Sequence, residues 1–152
     1  MTTSSHHGDL TDKLVKKAEE FHGHLGPFLT LGIRMGQIGL RELGLAKSEN
    51  SLRIHLMVQP TVPYSCVIDG LQISTGCTIG NRGLILKNAK RIEAEFKNLN
   101  TDKTVTVLPQ PSLAAMLKEQ TIKRNPPQNE LRKLAQMISA MPEKDLCIIR
   151  FE

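Results

Sequence analysis

At 152 residues, 39% of them hydrophobic and 23% charged, the chain fits one globular domain that can bury roughly two thirds of its unfolded surface without a disulfide or metal staple. Three cysteines with no CxxC exclude a disulfide framework and a zinc ribbon, and no apolar run approaches the ~20 residues of a membrane span. The formal charge of +5 comes from basic residues scattered through Lys13–Lys17, Lys87–Arg91 and Lys118–Lys133, and 3% aromatic content offers few stacking platforms, so nucleic-acid binding is not expected.

Residues 1–8 read as a disordered polar tail, with His6 and His7 solvent-exposed and residues 9–152 forming one domain. The start lacks the apolar core of a signal peptide, so a cytoplasmic location is expected. A first helix is predicted over Leu10–Phe21, with Leu10, Leu14, Ala18 and Phe21 on one face. The glycine-bracketed HGHLG stretch stops it, and Pro27 suits the first turn of a second helix running to Gly44. Gly32, Gly36 and Gly39 in that helix each cost about 1 kcal/mol relative to alanine, which close approach must offset, either within the chain or across a homodimer contact. Ser51–Val58 alternates as a strand, with His55 on its polar side. Tyr64–Thr75 reads as a helix carrying Cys66, Asp69 and Gln72 at spacings of three, hence on one side. Leu84–Lys87, Arg91–Lys97 and Thr104–Leu108 are predicted to form three antiparallel strands. Helices over Ser112–Lys123 and Gln128–Met141 follow, and Asp145–Phe151 closes the chain as a strand holding a buried, inert Cys147. The order implies an α+β fold, an antiparallel sheet packed with helices.

His22 and His24 carry the most chemistry. Two imidazoles two residues apart diverge by about 200° on a helix and converge only off one. With Cys66 and Cys77 they offer two nitrogens and two sulfurs, a set that suits zinc and, less exclusively, nickel, iron or copper. Four engaged ligands would close a tetrahedral site, whereas three would leave a position for a small oxygen-bearing ligand. The other reading is a capping histidine and a buried thiol. Asp69 and Cys77 are the candidate reactive groups, Asp69 as proton acceptor. The glycine-rich run Thr75–Gly83 could cradle an anion with its backbone N–H groups, Arg82 pairing with a carboxylate or phosphate, but it has neither a Walker lysine nor a dinucleotide fingerprint.

Two motifs in this order, FHGHLGPFLTLGIRMG at 21–36 and SCVIDGLQISTGCTIGNRGL at 65–84, resemble the core domain of the FmdE family, the proteins named for formylmethanofuran dehydrogenase. The resemblance covers roughly residues 10–110. It implies an α+β core, commonly dimeric, with a transition metal in a His/Cys-lined cleft. It places His22, His24, Cys66 and Cys77 in or beside that cleft, with Asp69, Gln72, Thr78 and Asn81 as polar neighbours; Gln72, Thr78, Asn81 and, from its charge, Arg82 are the expected cofactor-binding residues. Gly26 stands where many members carry a cysteine, and the match is to the short form, without a C-terminal cysteine-rich finger. A molybdenum or tungsten enzyme is the larger partner it implies, with this chain either an independent metal protein or a non-catalytic accessory or metal-delivery module.

Overall fold

The computed structural model describes residues 2–47 and 50–152, with side chains from residue 10 onward. Its elements in chain order are α1 (Thr2–His22), α2 (Pro27–Leu43), β1 (Leu52–Val58), α3 (Cys66–Thr75), β2 (Leu84–Asn88), β3 (Glu93–Asn98) and β4 (Thr104–Pro109). They continue with α4 (Pro111–Leu117), a π-helical turn (Lys118–Lys123), α5 (Gln128–Ala140), the one-turn α6 (Glu143–Leu146) and β5 (Cys147–Phe151). The first helix begins at Thr2, upstream of the expected Leu10, because extending a formed helix costs far less than nucleating one and no proline interrupts the segment. The side chains of His6 and His7 lie outside the described residues.

The sheet order is β2-β1-β3-β4-β5. One face, carrying Leu52, Ile54, Leu56, Ala94, Phe96, Val105 and Val107, is buried. The opposite face of β1 carries exposed Arg53 and His55. The expected run of three antiparallel strands is corrected in one place: β2 lies parallel to β1 (Ile54 opposite Leu84), and β3 pairs antiparallel with the other edge of β1 (Leu52 opposite Asn98). A parallel pair needs a crossover, and α3 supplies it. The four-residue link from Asn88 to Glu93 therefore passes from one side of β1 to the other instead of closing a hairpin. Only Leu84 of β2 is buried, as befits an edge strand. The β3–β4 hairpin forms as expected, with Ala94 opposite Val107.

Two helical boundaries also differ from expectation. The helix opened by Pro111 leaves α geometry at Lys118 and continues as the π turn, and Glu143–Leu146 coils before β5 begins. In α6 the preceding Pro142 and the first-turn acids Glu143 and Asp145 favour a helical start, while fully buried Leu146 anchors it. α2 is the central helix, with thirteen of its seventeen residues buried.

The glycine stripe of α2 faces its own chain. A β-carbon on Gly32 would come under 3.0 Å of the Val67 carbonyl oxygen, one on Gly36 would strike Ser74, and one on Gly39 would strike the Phe96 ring. Gly70 of α3 reciprocates against Leu29 and Gly32. Of the two expectations for these glycines, packing within the chain is the one seen. Arg34 ties α5 to α2 by donating to the carbonyl oxygens of Ile138, Ser139 and Met141 at 2.9–3.1 Å, where the α5 dipole places partial negative charge.

Candidate metal centre

α1 ends on His22, and Gly23 follows with φ +104°, a left-handed conformation that a β-carbon would strain. The chain reverses there. His24 returns beside His22 with the ring centroids 4.6 Å apart and tilted by 45°. Cys66 joins them as the first residue of α3. One ligand atom from each of His22, His24 and Cys66 lies within 4.8 Å of the others, a spacing that one ion could bridge.

The surroundings assign a role to each atom of His22. Its Nδ1 lies 2.5 Å from Asp69 Oδ2, so the Nδ1–H donates to the carboxylate, an arrangement that in the neutral ring leaves the lone pair on the opposite nitrogen. That nitrogen, Nε2, is buried and has no hydrogen-bond partner. Burying a polar atom unpaired costs on the order of 1–3 kcal/mol, and a bound cation would remove that cost. Asp69 is itself held: Gln72 Nε2 donates to Asp69 Oδ1 at 3.2 Å, and the Ile79 N–H donates to Gln72 Oε1 at 3.0 Å. Carboxylate–histidine pairs of this kind orient metal-ligating imidazoles. The spacing of three along α3 thus does what the sequence suggested, although both Asp69 oxygens are engaged.

Burial pushes the Cys66 thiol up to about 11, and the neighbouring Asp69 charge adds to the shift. The thiol therefore holds its proton at neutral pH, and a metal ion bound there would have to displace it. A cavity of about 40 Å³ adjoins the group, lined by His24, Gly26, Pro27, Phe28, Leu29, Pro63, Cys66, Thr121 and Leu131. Thr121 and Leu131 belong to a half of the chain in which sequence reasoning saw only packing helices. The π turn brings Thr121 there, its hydroxyl donating to the Leu117 carbonyl oxygen at 2.6 Å, and such turns frequently mark functional sites.

Cys77 is not brought to this group. Its thiol is buried, raised by desolvation, and 3.5 Å from the Leu52 carbonyl oxygen. Among the described residues the candidate set is thus two imidazoles and one thiol. Thr78 and Asn81 are engaged within their own loop: the Thr78 N–H donates to Asn81 Oδ1, the Asn81 N–H to Thr78 Oγ1, and Asn81 Nδ2 to the Gly76 carbonyl oxygen, all at 2.8–2.9 Å. Arg82 is exposed with φ +66°. Cys147 is buried at the start of β5, and His55 lies on the exposed side of β1, 4.0 Å from Glu95.

Fold and centre together define an α+β domain with a candidate two-histidine, one-cysteine metal centre. The family model described as FmdE, molybdenum formylmethanofuran dehydrogenase operon, matches residues 21–148, and the chain belongs to that family. Over 73 residues, 48% of this chain, it is 38% identical to a probable S-adenosyl-L-methionine-binding protein of Archaeoglobus fulgidus, of which it spans 20%. Its fold is similar to the crystal structure of a tungsten formylmethanofuran dehydrogenase FmdE-like protein from Syntrophus aciditrophicus, with a TM-score of 0.63 at 17% identity over 93% of this chain and 71% of that one. Among the described residues, no helix is long and apolar enough to cross a membrane.

Proposed function

We propose that this chain binds a transition metal, zinc first and nickel or iron as alternatives, through His22 Nε2, His24 and Cys66. The buried, unpartnered Nε2 of His22, with its Nδ1 engaged by Asp69, is the observation that carries the reading. A metal ion held there would supply Lewis acidity toward a small oxygen-bearing ligand. Asp69 acts as a positioning residue, keeping His22 in the metal-binding tautomer, and Gln72 and the Ile79 N–H keep Asp69 in place. Cys66 gives up its proton on binding. Metal analysis of untagged protein after zinc reconstitution tests this: about one equivalent is expected in wild type and in Cys147→Ser, with a marked loss in Cys66→Ser at unchanged circular dichroism. Less than about a tenth of an equivalent in reconstituted wild type overturns the proposal.

A second reading, an accessory or metal-delivery module for a larger molybdenum or tungsten enzyme, draws support from the exposure of His24. An exposed ligand gives a chelator or partner a direct route to the ion. Fast release to a competing chelator, together with co-purification of a large redox partner, favours delivery, and slow release with small-molecule turnover favours the independent metal protein. A homodimer would have to use a surface other than the glycine stripe, which α3 and Phe96 cover.

A further inference from the structure

A second cavity, of about 370 Å³, shares Phe28 with the small cavity beside the metal centre. Phe28 lines both cavities, and its ring meets that of Tyr64 edge-on, with centroids 5.4 Å apart. The larger cavity has an apolar floor of Phe28, Leu31, Tyr64 and Ile92. Three cations reach its lining from two distant segments: Lys90 and Arg91 in the β2–β3 link, and Lys118 at the start of the π turn. Among the described residues, no carboxylate lines it. Arg91 is partly committed, with Nε 3.5 Å from Glu93 and a terminal nitrogen 2.9 Å from Met57 Sδ, so the positive charge left to a ligand is chiefly that of Lys90 and Lys118.

The size falls in the ~300–1,000 Å³ range of small-molecule sites, and an apolar floor with a few polar groups at the edge is their usual composition. The geometry points to a binding site for a small organic anion, an apolar body seated against Phe28, Leu31 and Tyr64 with a carboxylate, sulfonate or phosphate end at Lys90 and Lys118. Gathering like charges from separate segments around one apolar cavity raises the local concentration of anions and disfavours cations. The site does not depend on the metal centre, since none of His22, His24 and Cys66 lines it.

The test is a fluorescence titration of the full chain with 8-anilino-1-naphthalenesulfonate, an apolar anion, alongside its neutral relative N-phenyl-1-naphthylamine. One saturable sulfonate site is expected, bound more tightly than the neutral dye. The double variant Lys90→Gln, Lys118→Gln should weaken the sulfonate about tenfold at low salt, ~1.4 kcal/mol, and leave the neutral dye unchanged. Ala115→Trp, from an exposed wall position, should weaken both dyes by filling the cavity, with a thermal melt confirming that the variant folds. Cys66→Ser should change neither affinity, which separates this site from the metal centre. Equal affinity for the two dyes, sulfonate binding unaffected by the lysine pair, or the absence of a saturable site overturns the proposal.

Discussion

Replacing Asp69 with asparagine isolates the part of the centre that is most distinctive, because it keeps side-chain size while removing the charge. Asp69 accepts two hydrogen bonds on separate oxygens, from His22 Nδ1–H at 2.5 Å and from Gln72 Nε2 at 3.2 Å. Asparagine has one acceptor oxygen and one amide nitrogen, so one of those donors must face a donor. Gln72 cannot resolve the conflict by flipping, since its Oε1 already accepts from the Ile79 N–H at 3.0 Å. Either His22 loses its anchor and its tautomer becomes free, or the Gln72–Ile79 brace opens. Even in the better case a charge-assisted bond becomes a neutral one of roughly half the strength. Losing such a supporting partner costs metal affinity by about 10–100-fold, ~1.4–2.7 kcal/mol. Competition against a chromophoric zinc chelator measures it, with thermal melting as the control that the fold survives. An Asp69→Asn protein that binds zinc within about twofold of wild type would refute the idea that the carboxylate orients His22.

Three further outcomes follow from the packing and the thiols. Gly32→Ala should lower stability by about 1–3 kcal/mol despite the helical preference of alanine, because the new β-carbon would meet the Val67 carbonyl and the α3 backbone, which cannot yield as a side-chain tip can; an unchanged melting temperature would show that the helices can part at no cost. Gly26→Cys should raise zinc affinity by at least about tenfold, since Gly26 lines the centre's cavity in an extended conformation and a β-carbon there meets nothing within 4 Å; equal affinities in chelator competition would place that thiol out of reach. Stability should fall above pH 9, because burial raises the Cys147 thiol from 9.0 to about 12 and the folded chain keeps a proton that the unfolded chain releases. The slope from this thiol is about 1.4 kcal/mol per pH unit, lost progressively between those two values and fully present below pH 9. Urea unfolding at a series of alkaline pH values, compared between wild type and Cys147→Ala, checks it: an equally steep decline in both proteins would contradict the assignment.

Local signals were the legible ones. The proline at the start of α2, the alternation of β1 and the i, i+3 spacing of Cys66, Asp69 and Gln72 each act over a few residues, and each describes the structure. His22 and His24, expected to converge only off a helix, do so where Gly23 takes a positive φ. Features set by distant contacts were not legible in the same way. The partner of β2 depends on where α3 lies, and adjacency in sequence suggested β3 instead of β1. As sulfur ligands Cys77 and Cys66 are equivalent in the sequence, yet one lies by the Leu52 carbonyl and the other with the histidines. Thr121 could not have been found by helical periodicity, because a π turn shifts the register that periodicity assumes.

The parts of the centre are not held equally, and that inequality bears on how a metal would enter. Cys66 and Asp69 ride on α3, whose backbone is pressed against α2 where Gly32 and Gly70 meet, so their positions follow those of a largely buried helix. His22 joins them through the Asp69 bond across 47 residues of chain. Under the proposed function these groups would form a half-site already arranged by the fold. His24 is different: it follows the Gly23 reversal, is exposed, and meets His22 through a ring contact. An ion would reach His22 Nε2 and Cys66 first and be closed in by His24 last, and release would run in the opposite order. In this arrangement substitution of His24 lowers affinity chiefly by speeding metal release, whereas substitution of Asp69 lowers it by altering the half-site itself. The ratio of those two effects separates a centre built to retain its ion from one built to pass it on.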